Sequence, residues 1–201
     1  FIILIYMIQN LTHINRLINN DQMDICVVSY GGSCSNLLAD TLEKNNFKCK
    51  TKLWDRILCH CPKYIDIDIP IIYIYDDPIK AFLSVKRRKN GFWNVNQKKL
   101  SNNPNIKLSD ETLLKLMIRQ FFIWTNKKYK NVLVIKSDEL FKQNIKKKLK
   151  QFLGIKQLKH FPLHYKSPKT NATNVTNYNI KLLLDKYDTK IKKIKNYKRN
   201  G

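Results

Sequence analysis

Ile25-Cys26-Val27-Val28-Ser29-Tyr30-Gly31-Gly32-Ser33-Cys34-Ser35-Asn36, residues 25–36, decides the fold. Residues 25–29 are a short β-branched run and 30–35 a Gly/Ser turn. Residues 36–44 then carry Leu37, Leu38 and Leu42 at helical spacing, so the order predicted is strand, loop, helix. A turn from a parallel strand into a helix exposes backbone N–H groups without an intrahelical partner, and the helix dipole adds positive potential; anions bind there. Gly31 and Gly32 let the backbone approach a ligand, while Ser33, Ser35 and Asn36 add side-chain donors. The competing reading is an ordinary tight turn with an Asn cap. A nucleoside-triphosphatase loop is disfavoured, because no Gly-Lys-Ser/Thr ending serves the β/γ-phosphates and magnesium.

The same unit recurs downstream. The apolar run 69–75 stops at Asp76-Asp77-Pro78, and Pro78 suits the first position of a helix running on through Phe82, Leu83 and Arg87. Ser109-Asp110-Glu111 is a capped, acidic helix start, after which Leu113, Leu116, Met117, Phe121 and Trp124 mark one apolar face over four turns. Residues 132–135 read as a third buried strand. Ser137-Asp138-Glu139 opens the next helix, with Leu140, Ile145, Leu149 and Phe152 as its stripe and Gly154 as its stop. Strands alternating with helices predict an α/β fold around a central parallel sheet. From Asn179 onward, Ile180, Leu183, Leu184, Tyr187, Ile191 and Ile194 oppose many lysines, which predicts one basic amphipathic helix. No solenoid-type repeat is present.

At 201 residues and 43% hydrophobic content the chain is sized for one domain. That domain is assigned to 23–201, with 1–22 as an N-terminal extension and Met23 as a candidate start immediately before the first strand. The net charge of +23 points to a polyanionic partner, nucleic acid or a sulfated or phosphorylated glycan. Part of that charge follows from joint over-use of Lys, Asn and Ile, as in NNFKCKTK (45–52), IKKKLK (145–150) and IKKIKNYK (191–198), the habit of an AT-rich genome. Five cysteines, an odd number without a small disulfide framework, favour a reducing, intracellular and cytoplasmic setting. Sequons at Asn10, Asn171 and Asn174 are expected by chance in so Asn-rich a chain. The apolar opening 1–8 is too short to span a bilayer and lacks the flanks of a signal peptide.

Residues 31–37 resemble the Pro-Lys-Ser-Gly-Thr-Thr-Trp-like loop with which sulfotransferases hold the 5′-phosphosulfate of 3′-phosphoadenosine 5′-phosphosulfate. Ser33 matches the family's serine, and Ser35 and Asn36 its threonines. Asp76-Asp77-Pro78-Ile79-Lys80-Ala81-Phe82-Leu83-Ser84 is similar to the second signature, Arg-Asp/Asn-Pro-x-Asp-x-x-x-Ser, whose Arg and Ser grip the donor's 3′-phosphate; Ser84 sits where that serine does. Between them, Cys59-His60-Cys61-Pro62 resembles the Thr-His-Leu-Pro segment of cytosolic members, whose histidine takes the acceptor's proton. Residues 132–154 resemble the family's strand reading like VLVIRYEDL and the helix ending in Phe-Leu-Gly. The likeness spans about 24–155. The compositional bias together with Gly-Gly-Ser-x-Ser-Asn suggests a giant-virus-like member, with host cytoplasm or virion as its place.

The resemblance implies a three-layer P-loop-type fold, its parallel sheet flanked by helices, and sulfuryl transfer from the phosphosulfate co-substrate to an acceptor hydroxyl or amine on a glycan or small molecule. It implies no metal. His60 would be the general base, and Gly31, Gly32, Ser33, Cys34, Ser35 and Asn36 would cradle the phosphosulfate, with Ser84 on the 3′-phosphate. Two positions depart from the pattern: the loop lysine is Gly32 and the signature arginine is Asp76. Lys86, Arg87, Arg88 and Lys166 are the candidates to replace that lost positive charge; each also fits a solvated basic face. The alternatives are a degenerate descendant that binds polyanions and a membrane-surface protein acting through its basic tail helix. A zinc site from Cys59-x-Cys61 with His160-x3-His164 lacks a second short motif. Cys34 at a helix N-terminus is either redox-sensitive or a small residue that fits.

Overall fold

The computed structural model describes residues 12, 15–16, 18–20, 22–49, 60–62, 64, 66–87, 98, 101, 103, 105–106, 109–126, 129–161 and 178–198. Three strands form one parallel sheet: β1 (Cys26–Val28), β2 (Ile71–Tyr75) and β3 (Val132–Lys136), in the spatial order β1-β2-β3. Cys26 pairs with Ile71, and Ile71 pairs with Val132, so the three predicted strands lie side by side with their C-terminal ends at one edge. Every residue of β1 and β2 is buried, as β-branched and aromatic runs covered on both faces require.

Alternation along the strands divides the core in two. Cys26, Val28, Ile71, Tyr73, Tyr75, Val132 and Val134 face α2 (Pro78–Arg87) and α3 (Asp110–Trp124), together with the last helix, α6 (Asp188–Lys195). Val27, Ile72, Ile74, Leu133 and Ile135 face α1 (Ser35–Lys44) and α4 (Gln143–Leu153). The molecule is thus α/β with its parallel sheet flanked by helices on both faces. Among the described residues no helix is long and apolar enough to cross a membrane.

The helix starts follow local chemistry. Asp77 caps α2, its Oδ1 accepting from the Ile79 N–H at 2.8 Å, with Pro78 in the first turn, where no donor is needed. The Ser109 hydroxyl caps α3 by accepting from the Thr112 N–H at 3.1 Å, and all five residues of the predicted stripe are buried. Gly154 ends α4 in the left-handed region, φ 67°, with the Ile155 N–H returning to the Lys150 carbonyl at 3.0 Å.

Three expectations are corrected. Helix α1 begins at Ser35 rather than Asn36, and its cap position is Cys34, without a side-chain cap; the Asn-capped turn is not formed. The helix predicted from Ser137 is instead a 3-10 turn, Ser137–Phe141, separated from α4 by extended Lys142. Leu140 and Ile145 are five apart and would point about 140° apart on one straight helix; the break lets both enter the same core. The tail is two helices, α5 (Tyr178–Lys186) and α6, joined at Tyr187, whose side chain turns inward to become buried.

The tail docks through Glu111 in the first turn of α3, which accepts from Lys186 Nζ at 2.9 Å and Tyr187 Oη at 2.8 Å and pairs with Lys115 at 3.1 Å. Lys186 first, then Tyr187 and Lys115, holds this half-exposed carboxyl down to about 2. A depressed carboxyl pKa contributes stability above the unfolded value, 4.5, that is lost as pH falls towards about 2. The protection of amides in α5 and α6, that is exchange relative to the unfolded chain at the same pH, is therefore expected to fall over that interval, and Glu111→Gln to remove most of that loss. An unchanged profile in the variant would show that Glu111 does not hold the tail.

Candidate functional site

Four segments meet at the C-terminal edge of the sheet, where open parallel sheets bind ligands. The loop after β1 contains three residues with positive φ: Gly31 (92°), Gly32 (70°) and Cys34 (62°). Cys34 has a side chain, and the left-handed region costs such a residue roughly 1–2 kcal/mol. The loop delivers the chain into α1, whose first turn has neither a capping side chain nor an acidic residue. An uncapped, acid-free helix N-terminus behind a loop of this shape suits an anion.

The loop is bolted to the β2–α2 junction in three places. The Tyr30 phenol, fully buried, donates to the Asp76 carbonyl and accepts from the Asp76 N–H at 3.0 Å. Burial pushes that phenol well above its ordinary pKa, so it stays protonated as the donor. Ser33 Oγ donates to the Ile74 carbonyl at 3.2 Å. Gly32 lies so close to α2 that a Cβ there would stand 2.7 Å from the Ala81 carbonyl oxygen and 3.0 Å from Ala81 Cα. The absence of a lysine at position 32 therefore has a steric cause: helix backbone occupies the space its Cβ would need.

His60 enters from the other side. It is 8% exposed, and its Nδ1 is 3.0 Å from the Ser29 carbonyl, at the mouth of the loop. A carbonyl only accepts, so Nδ1 carries the hydrogen and the lone pair of the neutral ring is on Nε2. The sequence did not single out the group that shares this carbonyl. Gln120, 1% exposed, donates through Nε2 to the Ser29 carbonyl at 3.2 Å and to the Cys61 carbonyl at 2.9 Å; Trp124 Nε1 donates to the same Cys61 carbonyl at 2.9 Å. A polar residue inside the apolar stripe of α3 was the signal for it.

The remaining expected site residues divide clearly. Ser84 is one turn past Ala81 on α2, roughly 4.5 Å further along the axis. Ser35 and Asn36 lie in the first turn of α1, whereas the Ser33 hydroxyl already donates to β2. Cys34 packs against the apolar cluster beneath α1, as a small residue that fits. Lys86 Nζ is 2.6 Å from Asp110, and exposed Arg87 returns its Nε to the Leu83 carbonyl at 3.3 Å. Arg88 and Lys166 lie outside the described residues, as do Cys59 and His164 of the zinc alternative. Among the described residues no group of three or more His, Cys, Asp or Glu is arranged to hold a metal ion.

Asp76 brings a carboxylate to this edge. Burial raises its pKa above the usual carboxylate value, opposed by the Ser137 hydroxyl, the Asp77 N–H at 2.6 Å and nearby Lys80. The tail supplies a cation that the sequence did not place: Lys195 of α6 reaches Asp77 at 3.2 Å. A separate cleft of about 590 Å³, lined by Tyr64, Asp66, Asp68, Lys130 and Asn131, opens at the opposite edge, where β2 and β3 begin. No family model, no curated protein and no solved structure matches the chain.

Proposed function

We propose that the chain is a P-loop-type sulfotransferase, moving a sulfuryl group from 3′-phosphoadenosine 5′-phosphosulfate to an acceptor hydroxyl or amine. The observation that carries this reading is the convergence of the left-handed loop, the acid-free start of α1, His60 and the β2–α2 junction at one sheet edge. The backbone N–H groups after Gly32 receive the sulfate and 5′-phosphate, and Ser84 with a nearby cation receives the 3′-phosphate. His60 Nε2 takes the acceptor's proton as its oxygen or nitrogen bonds to sulfur. The bond from sulfur to the bridging oxygen breaks with its electron pair, and the bisphosphate nucleotide leaves. Such in-line transfer depends on positioning and on stabilising the leaving oxygen's charge.

A second reading, a binding module that has lost transfer, is favoured by two observations: Gly32 packs on Ala81 with no room for a lysine, and Asp76 adds a carboxylate nearby. Calorimetry with 3′-phosphoadenosine 5′-phosphate tests both. The nucleotide is expected to bind, and Ser84→Ala to weaken it by roughly 1–3 kcal/mol, the worth of a charge-assisted hydrogen bond. Failure to bind well above millimolar concentration would remove the sulfotransferase reading. Polyanion binding that falls steeply with salt would then support the second.

A further inference from the structure

We infer that a cleft between α3 and the start of α6 binds a small aromatic anion, one or two rings bearing a carboxylate, sulfonate or phosphate. Its volume is about 540 Å³, the size of a small-molecule site. None of residues 29–36, 60, 76–77 or 84 lines it, so it is separate from the sheet edge described above. Spacing of three and four along α3 sets Lys115, Ile118, Arg119 and Phe122 on one helix face. Tyr187 and Lys190, three apart at the start of α6, close the other side. The floor is apolar: Ile118 is buried in the core beneath, and Ile123 packs against the same core. Phe122 stands 43% exposed at the wall, its ring held edge-on by Phe121 at 5.4 Å. A fixed ring at the wall of a cleft gives a flat ligand a face to stack on.

Charge selects the sign of the ligand. Three cations, Lys115, Arg119 and Lys190, line the cleft, and no carboxylate does among the described residues. Lys115 is answered by Glu111 at 3.1 Å. Among the described residues the Arg119 and Lys190 side chains have neither a carboxylate nor a hydrogen-bond partner. A guanidinium without a partner, beside an apolar floor that weakens competition from water, offers a two-pronged seat for a carboxylate, sulfonate or phosphate. The chain's net charge of +23 does not by itself produce this pattern. The cleft of similar size at the start of β2 and β3 sets two carboxylates, Asp66 and Asp68, against Lys130. Cations gathered around one bounded cleft suit a small ligand, whereas a nucleic-acid strand needs a track of them.

The test is fluorescence titration of the full chain with 8-anilinonaphthalene-1-sulfonate, beside its uncharged analogue N-phenyl-1-naphthylamine. The sulfonate is expected to bind saturably at one site. Arg119→Ala and Phe122→Ala are each expected to weaken it roughly 10-fold, the loss of one charge-assisted hydrogen bond or one stacked ring. Lys130→Ala, at the other cleft, is expected to leave it unchanged, and Arg119→Ala to leave binding of the uncharged analogue unchanged. Affinity that survives Phe122→Ala and the double variant Arg119→Ala/Lys190→Ala overturns the inference, as does equal weakening by Lys130→Ala, which would mark a general charge effect. Displacement of the probe by a short single-stranded oligonucleotide at lower concentration than by naphthalene sulfonate would reassign the surface to nucleic acid. Binding to phosphatidylserine vesicles that is lost in Phe122→Ala would reassign it to a membrane; either result overturns the small ligand. The substituted positions are exposed, so the fold is expected to survive, and near-UV circular dichroism checks it. If a variant does not fold, NMR of the wild type decides: the sulfonate is expected to shift the Phe122 ring and Arg119 guanidinium signals, and their failure to move overturns the inference.

Discussion

Under the proposed reaction, replacing His60 by Ala is expected to lower sulfuryl transfer by roughly 100- to 10,000-fold, the contribution of a positioned general base, while leaving binding of 3′-phosphoadenosine 5′-phosphate nearly intact. The split follows from where the residue sits. His60 reaches the loop at the Ser29 carbonyl, immediately before Tyr30, whereas Gly32 is packed on Ala81 of α2. Gln120 still donates to the Ser29 carbonyl in the variant, so that acceptor is not orphaned; the missing hydrogen bond costs about 0.5–1.5 kcal/mol, and the cavity left by the buried ring adds to it. Single-turnover transfer and calorimetry on the same preparation check both halves. Wild-type turnover in the variant would make His60 structural, whereas loss of nucleotide binding in a folded variant would make it a ligand contact.

The second large effect concerns stability. Gly32→Ala is expected to destabilise the fold by roughly 2–5 kcal/mol, from the cost of a left-handed side chain and the strain of forcing a methyl group into packed backbone. At φ 70° its Cβ would lie 2.7 Å from the Ala81 carbonyl oxygen, and that atom belongs to helix backbone that cannot swing aside. Gly32→Lys, which introduces the lysine of the sulfotransferase loop that residues 31–37 resemble, is expected to cost at least as much and to improve no activity. Urea denaturation measures the loss. A Gly32→Ala variant as stable as the wild type would mean that the loop stands clear of α2. A Gly32→Lys variant that gains activity would mean that the loop has another conformation when the nucleotide is bound.

Much of the layout was legible because it is written locally. Residues 25–29, 69–75 and 132–135 announced strands through short apolar runs rich in β-branched and aromatic residues, and their pairing in one parallel sheet followed from alternation with helices. Pro78, Ser109 and Gly154 fixed helix ends because caps depend on the few residues around them. The turn at 30–35 was legible for the same reason, since two adjacent glycines before a helical pattern have few other uses. Periodicity failed where a stripe ran across a break. It joined Leu140 to Ile145 and Leu184 to Ile191 as single helices, because it records which residues are buried and cannot register a change in axis direction between them.

It was the resemblance to sulfotransferases, read in sequence order, that proposed His60, the 31–36 loop and Ser84 as one site. The tertiary structure decided what each does there: Ser33 binds strand β2, Lys86 answers Asp110, and Lys195, 118 positions from Asp77, arrives at the sheet edge on the tail. It also decided why position 32 is glycine, which no reading of the loop could give, because the reason lies in Ala81 of another helix. Gln120 is the plainest case. In sequence it is one polar residue in an apolar stripe, and its meaning comes from two carbonyls, 91 and 59 positions earlier, that only folding places within reach. Strands, turns and caps are set by neighbours in the chain, so the sequence determines them. Hydrogen bonds and steric contacts between distant segments are set by how the helices pack on the sheet, so the tertiary structure alone decides them.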